Sequence, residues 1–412
     1  MKILVLNSGS SSQKSSLYDV GGALPELAPE PVWQAKAEWN GEHAEVTIET
    51  ASGGKLKEQR PAASREKFLD SLLESLWSGK MRVVAAPSEI NVVGHRVVNG
   101  GKGFRQPTVI TAEVKAAIGR MSAFAPLHNR AELEGMEIIE KRLGPVQQVA
   151  VFDTGFHSQL PEAAFVYPGP YEWLEKGIRR YGFHGINHQY CAGRAAQLLG
   201  KDLRSLKLVT CHLGNGCSLA AIQDGHSVDT TMGFTPLEGL MMGTRSGSVD
   251  PGILTYLMRQ GHFTGEQLDE LLNKKSGLLG ISGTSGDMRE IVASMKAGDA
   301  RAKLAFDIFV HRLRSGIGAM IAVLGGMDAL IFSAGIGENA AEVRAAACAN
   351  FGYLKLALDP AKNVEALVDD HDISRGESGV RVLVIRAQED WAIARDCWKI
   401  ASAGISGRAG AS

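Results

Sequence analysis

The sequence predicts an α/β protein of two lobes, and three observations carry that expectation. A short apolar strand over residues 3–6 enters the polar run Asn7-Ser8-Gly9-Ser10-Ser11-Ser12-Gln13-Lys14 and leaves through 15–20, giving a hairpin with a polar tip. A similar unit recurs half a chain later, where 206–212 runs into Leu213-Gly214-Asn215-Gly216 and out through 217–223, with a third strand at 227–231. Around both hairpins, strands alternate with amphipathic helices. The recurrence points to duplication, with two hairpin loops facing a shared cleft in the manner of a nucleotide clamp.

In the first half, helical periodicity predicts helices over 65–77, 112–122 and 130–143, with strands at 92–97 and 146–152. The second half adds helices at 187–199, 251–259 and 300–324. In the last of these Phe306, Phe309, Leu313, Ile317, Met320 and Leu324 fall on one stripe that stops at Gly325-Gly326. A strand at 329–333, a glycine turn, a helix at 340–350, a strand at 380–385 and a final helix from about Glu389 complete the pattern. The tail from Ala403 is rich in Gly, Ala and Ser and is expected to fray.

Composition narrows the function. The 412 residues suffice for two or three hydrophobic cores, and 44 Lys+Arg against 45 Asp+Glu leave a net charge of -1, which disfavours nucleic acid and anionic membranes. At 44% hydrophobic and 22% charged, the chain has an ordinary globular composition. Gly is abundant, at 48 against 14 Pro, so the excess belongs to tight turns rather than linkers. The five cysteines form no CxxC pair, and a reducing cytoplasm is the expected compartment. No apolar run at the N-terminus matches a signal peptide. Residues 317–337 are broken by Gly325-Gly326-Met327-Asp328 and read as helix, turn and buried strand, not as a membrane span.

Several segments carry chemistry. Asn7 to Lys14 offers hydroxyls, including Ser10 and Ser12, and the Lys14 ammonium on one turn, which suits phosphate oxygens; a solvated hairpin tip has the same composition. Gly335-Ile336-Gly337-Glu338-Asn339-Ala340 follows a strand and opens a helix, with Asp359 roughly 20 residues on, the form of a dinucleotide fingerprint. A tight strand-to-helix turn reads identically, and Glu338 would set a carboxylate against pyrophosphate. Gly94-His95-Arg96 and Gly243-Thr244-Arg245 each place an arginine beside glycines, a pair suited to clamping an anion. His128, His184 and His212 lie in polar turns; His184 and His188 have i, i+4 spacing but lack the Glu of a zinc helix, so hydrogen bonding to phosphoryl oxygens is preferred to metal ligation. Asp153 and Glu389 sit where strands end, the support that Mg2+ takes from one or two carboxylates.

Together these runs resemble the acetate kinase family, acetate and propionate kinases of the actin, hexokinase and Hsp70 superfamily. The match spans nearly the whole chain, through Asn7 to Lys14, Gly94-His95-Arg96-Val97-Val98, Phe152-Asp153-Thr154, Arg180-Tyr181-Gly182-Phe183-His184-Gly185, Cys211 to Gly216, Met232 to Gly247 and Ala334 to Asn339. The resemblance implies a two-lobed actin-like ATPase fold of duplicated ribonuclease H-like domains. The first lobe would be 1–153, with a C-terminal helix of about 390–412 packing back on it, and the second, nucleotide-binding lobe 154–389. It implies ATP + acetate ⇌ ADP + acetyl phosphate in a homodimer, with Mg2+ or Mn2+.

The resemblance also assigns roles. Arg96, Arg245, His184 and Asn7 would contact the transferred phosphoryl, with His128 and His212 beside it; Asn7, Asp153 and Glu389 would hold the metal. Lys14, Ser10, Ser12, His212, Leu213, Gly214, Asn215, Gly216, Asp287, Met288, Arg289, Gly335, Ile336, Gly337 and Asn339 would take the nucleotide, Met288 and Ile336 flanking adenine. Val98, Leu127, Phe183 and Pro236 would line the pocket for the acetate methyl, next to Arg96. Asn99, Arg130, Asn187 and Gln388 depart from the family's usual His, Pro, Ser and Asn, without removing a proposed catalytic group. The rival readings are a propionate or other short-chain kinase, an NAD-dependent dehydrogenase built on 335–340, and an actin-type nucleotide-binding scaffold.

Overall fold

The computed structural model describes residues 1–8, 12–40, 42–61, 64–121, 126–365 and 368–409, without the side chains of residues 40, 126–130 and 404–409. Ser10 therefore lies outside the described residues, as do the Leu127 and His128 side chains. The chain divides into two compact units, Met1–Gly155 with Gln388–Ser412, and Phe156–Ala387. Glu389, assigned from sequence to the second lobe, belongs to the first unit.

The first unit is built on one eight-stranded sheet. Its inner strand β1 (Lys2–Ser8) has Ile3, Leu4 and Val5 fully buried, the continuous apolar run expected of a strand covered on both faces. β1 pairs antiparallel with β2 (Ser12–Asp19), which is followed outward by β3 (Trp33–Asn40), β4 (His43–Thr50) and the edge strand β5 (Lys55–Pro61). On its other side β1 runs parallel to β6 (Val92–Val97), and β6 to β8 (Gln147–Phe152), with the two-residue β7 (Thr108–Val109) at the edge. Helices α1 (Arg65–Glu74), α2 (Ala112–Met121) and α3 (Pro126–Leu143) link these strands; α3 packs on α1, α2, β1 and β6. α3 begins before the expected residue 130, so the stretch around His128, read as a polar turn, is its first helical turn. Pro126 at the helix start lacks only an N–H that has no intrahelical partner there.

The C-terminal helix Glu389–Ala409 covers β1, β6 and β8. Gly94 makes that approach possible: a methyl group there would lie 2.6 Å from both Ile393 Cγ2 and Cys397 Sγ. A glycine noted from sequence for its place beside Arg96 thus also lets the helix carrying Glu389 dock.

The second unit repeats the plan. β9 (Leu208–Leu213) pairs antiparallel with β10 (Cys217–Gln223), which pairs with β11 (His226–Thr230), while β12 (Ala329–Ser333) and β14 (Arg381–Val384) continue β9 in parallel and β13 (His371–Asp372) closes the edge. The order β11-β10-β9-β12-β14 matches β3-β2-β1-β6-β8 in connectivity and direction, which is the duplication hinted at by the two hairpins. Short helices α4 (Glu162–Phe165) and α5 (Glu172–Glu175) precede α6 (Gly185–Leu199), which packs on β9 and β12. After β11 come α7 (Pro251–Arg259), α8 (Gly265–Lys274), α9 (Gly277–Ser282), α10 (Met288–Lys296) and α11 (Ala300–Leu324). All six residues of the expected α11 stripe are buried, and Gly325 ends the helix in the left-handed conformation, φ 62°.

Residues 335–340 do not form the expected turn. They belong to α12 (Ala334–Asn339), entered through Ala334 at φ 65° and followed by α13 (Ala341–Cys348) and α14 (Pro360–Val364). Asp359, the acidic residue of the dinucleotide reading, accepts from Ala361 N and Lys362 N as the N-cap of α14. Among the described residues no helix is long and apolar enough to cross a membrane, and all five cysteines are buried thiols outside any disulfide.

Candidate functional site

In an α/β sheet the loops leaving the carboxyl ends of parallel strands are where ligands gather. In the first unit these loops follow β1, β6 and β8, and they bring Asn7, Arg96 and Asp153 to one end of the sheet. Arg96 Nη2 donates to Asp153 Oδ2 at 2.8 Å, with the Asp153 side chain 1% exposed. Burial alone would lower the Arg96 guanidinium, but Asp153, Glu389 and Glu132 around it more than offset this and raise it above its ordinary value. Asn7 Nδ2 donates to Asp390 Oδ1 at 2.9 Å and, at 3.4 Å, to Glu389 Oε2, while Ser16 Oγ donates to Asp390 Oδ2. The Asn7 amide is thereby turned with its nitrogen on the acids.

Two members of this cluster escaped sequence reasoning. Asp390 orients Asn7 but reads as an ordinary first-turn helix acid. Glu132, on α3, is 2% exposed and accepts the Val98 N–H through Oε1 at 3.0 Å. Burial pushes its carboxyl up to about 8, against the pull of the Val98 N–H and Arg96. Helical periodicity gives no signal that separates such a residue from a surface glutamate.

In the second unit the corresponding loops follow β9, β12 and β14. The β9–β10 loop closes with Gly214 N donating to Gly216 O at 3.0 Å. A methyl group on Gly216 would lie 2.6 Å from Arg245 Nη2 and 3.4 Å from His184 Nε2, so this glycine lets both side chains reach the loop. Arg245 Nη1 donates to Pro236 O at 2.6 Å, and among the described residues no carboxylate pairs with it. Burial lowers this guanidinium from its ordinary value, the condition of a cation awaiting an anion.

His184 occupies the left-handed region, φ 57°, at the start of α6. Its ring stacks on His212, centroids 3.9 Å apart and planes 13° from parallel. Phe183 and Pro236, expected to face the acetate methyl, are in this unit, and Val98 is in the first.

A cavity of about 840 Å³ lies wholly within the second unit, lined by Gly214, Asn215, Asp287, Met288, Arg289, Gly335, Ile336 and Asn339 together with Gly286, Val292, Ala340 and Glu342. Eight of the residues expected at the nucleotide are brought together there; His212, Leu213, Gly216 and Gly337 are not among its lining. Lys14 is in the first unit, exposed on β2. Glu338 does not point its charge at the cavity mouth: Oε1 accepts from Ala334 N and Ala387 N, both at 2.8 Å, tying α12 to the end of β14. Arg344, 3% exposed, supports α12 from behind by donating to Gly337 O and Glu338 O.

Among the described residues no three His, Cys, Asp or Glu side chains form a metal-holding group. The oxygen donors available are the carboxylates of Asp153, Glu389 and Asp390 and the Asn7 carbonyl. Such a set suits a hard cation shared with substrate phosphates rather than one caged by protein.

The chain matches the Acetokinase family over residues 2–395. It is 60% identical over 403 residues to the acetate kinase of Gloeobacter violaceus, covering 97% of this chain and 99% of that one. The crystal structure of Porphyromonas gingivalis acetate kinase superposes with a TM-score of 0.89 at 39% identity, covering 97% of this chain and 99% of the other. A propionate kinase from Francisella tularensis gives a TM-score of 0.87 at 36% identity, with the same coverage.

Proposed function

Because the chain belongs to the acetokinase family, we propose that it transfers the terminal phosphoryl group of ATP to the carboxylate of acetate, yielding ADP and acetyl phosphate. The observation that carries this reading is Arg245, a half-buried guanidinium with no acid partner among the described residues, beside a glycine loop and next to a nucleotide-sized cavity.

An acetate ion is already a nucleophile at neutral pH and needs no base. What it needs is to be held in line with the phosphorus and to have repulsion between anions cancelled. Arg96 and Arg245 are assigned to the transferring phosphoryl, where their planar forks would neutralise equatorial oxygens. Asp153 keeps Arg96 oriented and, with Glu389 and Asn7, would hold Mg2+. That ion, when bound, supplies charge neutralisation on the phosphates. Asn215, Asp287, Met288, Ile336 and Asn339 would seat the nucleotide, and Val98, Leu127, Phe183 and Pro236 the acetate methyl.

The protein would work in the cytoplasm as a homodimer. α7 supports the second point: none of its nine residues is buried, and Ile253, Tyr256 and Met258 are about half exposed, a surface suited to a second copy of the chain.

A hydroxylamine trap for acyl phosphate, run with Mg·ATP and acetate, propionate or butyrate, tests the assignment. Acetyl hydroxamate should form fastest; ADP release without hydroxamate from any acid would refute acyl transfer. Propionate ahead of acetate would move the substrate within the family, since one methylene shifts discrimination by only about 1–3 kcal/mol.

A further inference from the structure

Resting on that phosphoryl-transfer reading, we propose that His184 and His212 are held as neutral imidazoles, each presenting Nε2–H to the loop 214–216, with their tautomers fixed by two buried relays. The first relay starts at Thr210. Its Oγ1 lies 2.7 Å from His188 Nδ1, whereas its alternative acceptor, Ala220 O, is 3.5 Å away, at the outer limit of a hydrogen bond. In the proposed relay the hydroxyl proton goes to the nearer partner, His188 Nδ1. A neutral His188 then carries its own proton on Nε2 and donates to Ser218 Oγ at 2.8 Å. Ser218, having accepted there, donates to His184 Nδ1 at 2.9 Å. The remaining proton of a neutral His184 must sit on Nε2.

The second relay is shorter. Asn187 Nδ2 donates to His212 Nδ1 at 2.9 Å, while Asn187 Oδ1 accepts from Cys191 Sγ at 3.7 Å, which sets the amide orientation. His212 is left with its proton on Nε2. Both Nε2 atoms look toward the same loop, 3.7 Å from a methyl built on Gly214 for His212 and 3.4 Å from one built on Gly216 for His184.

Three features oppose a positive charge on either ring. The rings are stacked at 3.9 Å, so an imidazolium would face its neighbour at contact distance. Arg245 already places a guanidinium against Gly216 beside His184. The relay residues Thr210, Ser218, His188 and Asn187 are at most 1% exposed, so the Nδ1 sides of the two half-exposed rings face buried partners. His157, edge-on to His188 at 5.7 Å, lies 3.1 Å through Nε2 from Phe183 O and 2.7 Å through Nδ1 from Ser227 Oγ, and burial lowers it to about 4, so it too is neutral. Burial, with His157 and His212 nearby, holds His188 well below the ordinary imidazole value. The consequence is a pair of neutral donors for phosphoryl oxygens, unlike histidines recruited as imidazolium. Ser218, His188 and Asn187 are positioning residues in this scheme.

The test is a long-range 1H–15N correlation spectrum of the whole protein labelled at histidine nitrogens, at pH 7 without substrate, with His184→Gln and His212→Gln assigning the two rings. Both should show the neutral Nε2–H pattern. Ser218→Ala should scramble His184 alone, lower kcat about tenfold and introduce a pH dependence between 6 and 8, with the KM for ATP little changed; Asn187→Ala should scramble His212 alone. An imidazolium or an Nδ1–H tautomer at either ring of the unmodified protein overturns the proposal, as does an unchanged His184 signal in Ser218→Ala. The unmodified spectrum decides even if a variant fails to fold. It needs no turnover, so an enzyme inactive on acetate but with both tautomers in place would count against the acetate reading alone.

Discussion

Glu132 shows how one side chain can tie stability to pH. Its ordinary carboxyl value of 4.5 is raised to about 8 in the folded chain. Between those values the folded protein keeps a proton that the unfolded chain has released. This contribution to stability therefore falls as pH rises from 4.5 to 8 and is level above that. Gln at this position would still accept the Val98 N–H and would carry no charge. Glu132→Gln should gain on the unmodified protein between pH 5 and pH 8.5, by roughly 4 kcal/mol, in urea unfolding followed at both pH values. A stability difference independent of pH would show that Glu132 ionises normally. Arg96 and Asp153 stood out in the sequence because both lie where parallel strands end, whereas Glu389 opens the C-terminal helix. Glu132 and Asp390 did not stand out, since a buried acid and an exposed one look alike until the helix carrying them is packed.

At the scale of elements, the clearest reading came where hydrophobicity was strong. β6, β12, α7 and α11 have the expected bounds because large apolar residues or sharp caps define them. β3 and β4 went unrecognised because Ala35, Ala37 and Ala44 are among their core-facing residues, and alanine makes a weak alternation; β5 is an edge strand of mostly charged residues. The polar loop 214–216 was read for its glycines, and its geometry gives them a reason. Gly216→Ala would drive a methyl to 2.6 Å from Arg245 Nη2 and displace the guanidinium. We expect kcat to fall by about tenfold to a hundredfold, while the melting temperature moves by no more than a few degrees, since the clash falls on a side-chain end. Unchanged turnover in that variant would remove Gly216 from the site. The 335–340 segment differs from the expected turn for another reason: a glycine pair after a strand suits a turn and a first helical turn equally. Only the Glu338 staple to Ala387 decides for the helix.

For the molecule as a whole, the repeated sheet explains why chemistry-bearing residues fall at corresponding places in the chain. Asn7 lies near the end of β1 as the loop 214–216 follows β9, and Arg96 lies near the end of β6 as residues 335–339 follow β12. The two hairpins announced this repeat, whereas the α7 surface could be seen only once the helix was known to be uncovered. Tyr256→Lys together with Ile253→Lys should convert a dimer to a monomer in sedimentation equilibrium with the circular dichroism spectrum unaltered. An unmodified protein that sediments as a monomer at micromolar concentration would remove that assignment.

In the proposed transfer the half-buried Arg245 guanidinium would receive the phosphoryl group. The most direct measurement of that role is acetyl phosphate formation by Arg245→Ala, with ATP affinity determined in parallel by calorimetry. Turnover should drop about 10³-fold or more, as for loss of an arginine finger, while the Kd for ATP changes only a few-fold. Turnover within tenfold of the unmodified enzyme would contradict the account.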